Sequence, residues 1–155
     1  MTITPAGIET WHGETSQSDA SSPEGKICIT VVFTTRKGTQ AALRTAGSLA
    51  KGLGARIRLV SAFEVPLPFP LDKPPVLLEV LEQRHVNMVK ASGVEAEEVE
   101  IDLFLCPDQK ACLQDALKEN SLVLVGGRPR RWWNPARRIE RWLSRMGKQV
   151  VFVTE

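Results

Sequence analysis

The chain predicts an α/β fold: a five-stranded parallel sheet in the order 3-2-1-4-5 with helices on both faces. Three observations carry that prediction. Short, nearly unbroken apolar runs recur along the chain, at 27–33, 57–63, 122–125 and 150–153, as expected of strands covered on both faces. Between them lie segments whose apolar residues repeat at helical spacing. Strands alternating with helices close into a parallel sheet with right-handed crossovers.

The elements follow in order. Residues 1–25 are polar and rich in Ser, Thr, Gly and Glu, too poor in apolar periodicity to offset chain entropy, so a disordered tail is expected there. Residues 26–155 form a single domain. Ile27–Phe33, broken by Thr30, is the first strand. Ala42, Leu43, Ala46, Leu49, Ala50 and Leu53 mark a helix that Gly54 stops. Ile57–Phe63 is the second strand, and five prolines between Pro66 and Pro75 impose a non-helical connector. Leu77, Leu81 and Met88 share one face of the next helix, which ends at Gly93. Val99, Ile101, Leu103 and Leu105 alternate with Glu100, Asp102 and Phe104, the pattern of a half-exposed edge strand. A short helix over 111–117 and a strand over 122–125 come next. Asn134-Pro135 then reads as an N-cap with proline in the first turn. Ile139, Trp142, Leu143 and Met146 give the last helix its buried face, and Val150–Val153 is the closing strand.

Bulk properties narrow the function classes. With 43% hydrophobic and 25% charged residues the chain has a globular composition. Its net charge of +2 is unevenly spread: residues 1–120 hold 12 basic and 16 acidic side chains, residues 121–155 hold 8 and 2. One end of the fold should therefore be electropositive. Cys28, Cys106 and Cys112 show no CxxC spacing and read as small buried hydrophobes in a reducing compartment. Two histidines, His12 and His85, offer no zinc-type cluster. No apolar stretch is long enough to cross a membrane and no signal-peptide pattern opens the chain, which points to the cytoplasm.

The segment 122–154 is the most informative. A buried strand runs into Gly126-Gly127, then seven arginines and three tryptophans precede the closing strand. The carboxyl ends of such strands are where α/β proteins hold ligands, and here that rim gathers Val32, Thr34, Thr35, Ala62, Gly126 and Gly127.

At these residues the chain resembles the universal stress protein family. The likeness covers about residues 26–154 and is carried by the passage Leu49-Ala50-Lys51-Gly52-Leu53-Gly54-Ala55-Arg56-Ile57 and by Leu122-Val123-Leu124-Val125-Gly126. Nucleotide-binding members carry an aspartate where this chain has Val32, and a G-x-x-G-x9-G-[S/T] loop after the fourth strand. Gly126 matches the first glycine of that loop, Pro129 stands at the second, and no Gly-Ser pair precedes the last helix. Proline offers no amide hydrogen, so a backbone cradle for a triphosphate is compromised. The resemblance therefore implies a non-enzymatic binding or regulatory module that lacks ordinary ATP binding. It also implies a homodimer through Val150, Val151, Phe152 and Val153, which lack the charges that guard a bare edge.

Two alternatives stand beside that reading. Arginine is a bidentate donor to oxyanions, so Arg128 and Arg130, with the helix start at Asn134, could hold the phosphates of ATP or another adenine nucleotide. Val32, Thr34, Thr35, Ala62, Gly126 and Gly127 would then complete the site. Alternatively Arg137, Arg141 and Arg145, at four-residue spacing, could form a polyanion surface with Trp132 and Trp133. The plainer account is a solvated helix face, and without any nucleic-acid-binding signature a nucleic-acid partner is not expected. The acidic run from Glu95 to Asp102 reads as a solvated edge, and His85 as a packed histidine. No metal ligand set or catalytic motif is present. A protein partner is compatible with every reading.

Overall fold

The sheet is built outward from β3 (Cys28–Val32), whose last four residues are buried. In this computed structural model, which describes residues 2–4, 8–12, 27–65, 78–117, 121–129 and 134–155, β3 pairs in parallel with β4 (Arg56–Glu64) on one side. On its other side it pairs with β6 (Leu122–Gly127). β5 (Val99–Cys106) lies outside β4, and β7 (Val150–Thr154) lies outside β6. The parallel order β5-β4-β3-β6-β7 is the expected 3-2-1-4-5. The chain therefore reverses direction of build between β3 and β6, and the switch point falls there.

Among the described residues, four α-helices cover the two faces. α1 (Arg36–Leu53) and α2 (Leu78–Ala91) share one core with β3 and β4, in which Leu43, Ala46, Met88 and Val89 meet Ile29, Val31 and Leu59. α3 (Gln109–Ala116) and α4 (Pro135–Arg145) cover the other face, where Leu113, Leu117, Ala136 and Leu143 meet Val32, Val60, Val123 and Val125. α1 ends as its sequence requires: Gly54 takes φ 63°, the left-handed conformation that closes a helix.

Four expectations meet a different arrangement. Within the segment 1–25, Thr2–Thr4 and Ile8–His12 form strands β1 and β2; β2 pairs antiparallel with β5, and β1 with β2. The rest of that segment lies outside the described residues. The row of backbone groups on the free side of β5 supplies the ladder that β2 takes up, a tertiary pairing that local polarity does not signal. Secondly, β5 is not half-exposed. Asp102 and Phe104 are both buried, because α3 covers that face and Arg58 forms an ion pair with Asp102 while donating to the Ala116 carbonyl at 3.0 Å. Thirdly, Met146 leaves the core: α4 stops at Arg145, and Met146 is its exposed C-cap. Leu77 lies outside the described residues. Finally, Cys106 and Cys112 are buried but Cys28 is half-buried, and all three thiols are free.

Candidate anion-binding rim

At the switch point two helices start side by side, and glycine governs how closely they approach. A Cβ on Gly126 would lie 1.8 Å from the Gly38 carbonyl oxygen, and a Cβ on Gly38 would lie 2.3 Å from that of Gly126. The first turn of α1 thus rests backbone to backbone on the end of β6. Gly127 likewise makes room for the Ala136 side chain of α4, since a Cβ there would come within 2.6 Å of the Ala136 Cβ. The Gly126-Gly127 pair is consumed by helix packing, and the space beside Gly126 holds Gly38 rather than open solvent.

Threonines tie the α1 start in place. The Thr34 hydroxyl donates to the Gly126 carbonyl at 2.6 Å, and the Thr34 amide donates to the Thr39 hydroxyl at 3.1 Å. Thr35 caps α1, its hydroxyl accepting from the Gly38 amide at 3.1 Å. On the other side Asn134 caps α4 by accepting from the Ala136 amide at 3.0 Å, while its amide nitrogen donates to the Arg128 carbonyl. One side chain thereby starts the helix and anchors the described ends of the β6–α4 loop to each other.

Between these caps opens a cavity of about 310 Å³ lined by Thr35, Arg36, Lys37, Gly127, Arg128, Asn134, Pro135 and Glu155. Neither α1 nor α4 has an acidic residue in its first turn, although the helix dipole favours one there. α1 instead opens on Arg36 and Lys37. Two positive helix ends and three cations thus face one space, against the side-chain carboxylate of Glu155. That carboxylate is held by the Arg128 Nε at 2.7 Å. The charge and the dipoles suit a small anion.

Of the residues singled out in the sequence, Thr35, Gly127, Arg128 and Asn134 line this cavity. Val32 is buried in the sheet and presents no polar side chain. Thr34 and Gly126 support the cavity from behind by their mutual hydrogen bond. Ala62 is elsewhere on the rim, where its carbonyl accepts from the Gln109 side chain at 3.1 Å. Arg130, with Arg131, Trp132 and Trp133, lies outside the described residues. Arg36, Lys37 and Glu155 were not anticipated; the available signal was a basic pair directly after a helix cap.

Two further candidates, His85 and Arg137, are accounted for by packing. His85 is buried against the Phe33 and Phe63 rings at centroid distances of 5.2 and 5.9 Å. Its Nδ1 donates to the Leu81 carbonyl at 2.7 Å. Burial pushes its pKa down, partly offset by that hydrogen bond. Arg137 leaves the expected arginine stripe: its guanidinium lies 3.6 Å above the Phe152 ring and pairs with Glu140. Among the described residues, no three His, Cys, Asp or Glu side chains gather as metal ligands, and no helix is long and apolar enough to cross a membrane.

A universal stress protein from Archaeoglobus fulgidus superposes with a TM-score of 0.53 at 15% identity, over 82% of this chain and 93% of that one. The fold is that of the universal stress proteins. The Archaeoglobus fulgidus universal stress protein in complex with dAMP gives a TM-score of 0.51 at 14% identity, covering 83% of this chain and 98% of its own. A universal stress family protein from Burkholderia pseudomallei gives 0.50 at 17% identity, over 81% and 94%. No protein-family model matches the sequence, and no curated protein matches it either. In this chain the segment after β6 begins with glycines already filled from behind by α1 and α4.

Proposed function

We propose that this protein is a non-enzymatic, cytoplasmic universal-stress-type binding module, a homodimer that lacks ordinary ATP binding and holds a phosphate-sized anion at its rim. The domain is 26–155, and Thr2–Thr4 and Ile8–His12 add an antiparallel ribbon to its sheet. The observation that carries the reading is the meeting of Arg36, Lys37 and Arg128 between two capped helix starts. A volume near 310 Å³ sits at the small end of ligand cavities, enough for a phosphate or diphosphate group. The adenosine end has less support, because the Val32 side chain offers no acceptor. Against catalysis stands the engagement of the lining oxygens: Thr35 caps α1 and Glu155 pairs with Arg128. The free thiols suit a reducing compartment.

The test is thermal unfolding with inorganic phosphate, pyrophosphate, AMP or magnesium ATP. At tenfold excess over its Kd a ligand stabilises by about 1.4 kcal/mol. Pyrophosphate should raise the midpoint, Arg36→Ala and Arg128→Ala should each abolish the rise, and ATP should add nothing over pyrophosphate. A far larger rise with ATP would install the adenine-nucleotide reading, and no response to any anion would remove the site.

Dimerisation has separate support. β7 ends the sheet beyond β6, and Val151 on it is 42% exposed, an apolar residue on an uncharged edge. Val151→Lys should convert a dimer into a monomer by light scattering; an unchanged dimer would place the interface elsewhere.

A further inference from the structure

The face of the molecule covered by α3 and α4 carries a second, larger hollow. It has a volume of about 620 Å³ and runs between the two helices. Its floor is apolar: Leu113 is fully buried, and Ile139 and Trp142 are half-buried against the same core. Its α4 wall is Arg138, Arg141 and Arg145, which recur one and two turns apart and span about 10 Å of helix. All three are exposed, and among the described residues no carboxylate pairs with any of them. Arg137, which does have a partner, is turned away onto Phe152. Where β4 ends and α3 begins, the sign changes: Glu64 and Asp108 line the groove there, with Lys110 beside them.

We propose that the groove between α3 and α4 docks an acidic peptide segment of a partner protein, with an apolar anchor on Trp142 and Ile139 and a basic residue at the Glu64–Asp108 end. The mixed charge decides the occupant. A nucleic-acid strand is negative along its whole length, so it would gain at the arginine wall and be repelled by Glu64 and Asp108. A peptide can carry carboxylates for the wall, one cation for the acidic end, and an aliphatic or aromatic side chain for the floor. The arginine spacing of three and four residues matches that of carboxylates one turn apart on a helical segment. Such a guest buries an apolar anchor within a charged rim, the usual anatomy of a peptide-recognising surface. The proposal is independent of anion binding at the rim, because none of its three arginines lines that cavity.

Fluorescence anisotropy of the full chain tests it with fluorescein-labelled peptides bearing a glutamate run and one phenylalanine, with or without a terminal lysine, and with oligothymidylate as the competing class. The lysine-bearing peptide should bind tightest. The double variant Arg141→Glu/Arg145→Glu should weaken it by about tenfold or more, with its thermal midpoint and its pyrophosphate response unchanged. Glu64→Lys should reverse the preference toward the peptide without lysine, which a general loss of structure would not do. Arg36→Ala should leave peptide binding intact and so separates this site from the rim. Binding that ignores the arginine reversals, failure of every peptide at millimolar protein, or oligothymidylate binding tighter than all peptides would each overturn the proposal.

Discussion

Substituting Gly126 by alanine separates two roles that a glycine at this rim could have. If it were there to let a phosphate approach the backbone, Gly126→Ala would abolish anion binding and leave stability nearly intact. The structure demands a large loss of stability instead. The new Cβ would sit 1.8 Å from the Gly38 carbonyl oxygen, so α1 and β6 must separate by at least roughly 1.2 Å to reach the 3.0 Å below which real Cβ contacts are essentially never seen. The Cβ is fixed rigidly to the β6 backbone and the oxygen belongs to the α1 backbone, so no rotamer change relieves the clash. α1 carries eight buried residues through that shift, and the Thr34 hydrogen bond to the Gly126 carbonyl moves with it. Overpacking costs about 1–3 kcal/mol even where side chains can give; a rigid contact places this variant at about 3 kcal/mol or above. That is a large share of a domain stability of about 5–15 kcal/mol. Urea denaturation reads it directly as a lower midpoint at constant slope. The internal control is Gly52→Ala on the exposed side of the same helix, where nothing lies within 4 Å of the added Cβ. It should stabilise by about 0.5–1 kcal/mol. A cost below about 0.5 kcal/mol for Gly126→Ala would refute the packing argument.

Asn134→Ala removes the α4 cap, about 1 kcal/mol, and the bond to the Arg128 carbonyl, about another 1 kcal/mol. The thermal midpoint should fall by about 4–8 °C. Asn134→Asp, which still caps but cannot donate to that carbonyl, should recover about half. His85 couples stability to pH with a defined sign: its folded pKa lies below the unfolded value near 6.5, so the unfolded chain binds the proton first. Its contribution is complete above that value and is lost as pH falls through the folded pKa. Between pH 7 and 5.5 the wild-type midpoint should therefore drop more than that of His85→Phe, and parallel curves would sink this assignment.

The parallel sheet was legible because β3, β6 and β7 are almost uniformly apolar, a pattern with few competing explanations. β2 was not, since a polar strand is held by backbone ladder bonds whose partner, β5, is more than eighty residues away. Asp102 misled for a related reason: a charged residue reads as solvent-facing until the tertiary partner Arg58 is known. At the rim, Asn134 was readable from capping chemistry, and Thr35 and Arg128 from their positions after strands. Arg36 and Lys37 were hidden because cations near a helix usually mean a solvated face. Only the absence of acidic residues in both first turns sets them apart. Gly126 shows a limit of composition: a glycine that admits a ligand and one that admits a helix are written with the same letter.

The two lateral borders of the sheet are unequal. One carries the parallel strand β7; the other is finished by the antiparallel ribbon β2–β1, whose outermost strand is three residues long. A molecule with two equivalent long borders can add neighbours without end, as fibres do. Here a copy docked at β7 through a twofold axis would leave only two short terminal ribbons facing outward. Assembly along the sheet would then stop at a pair, making the N-terminal ribbon a terminator of polymer growth.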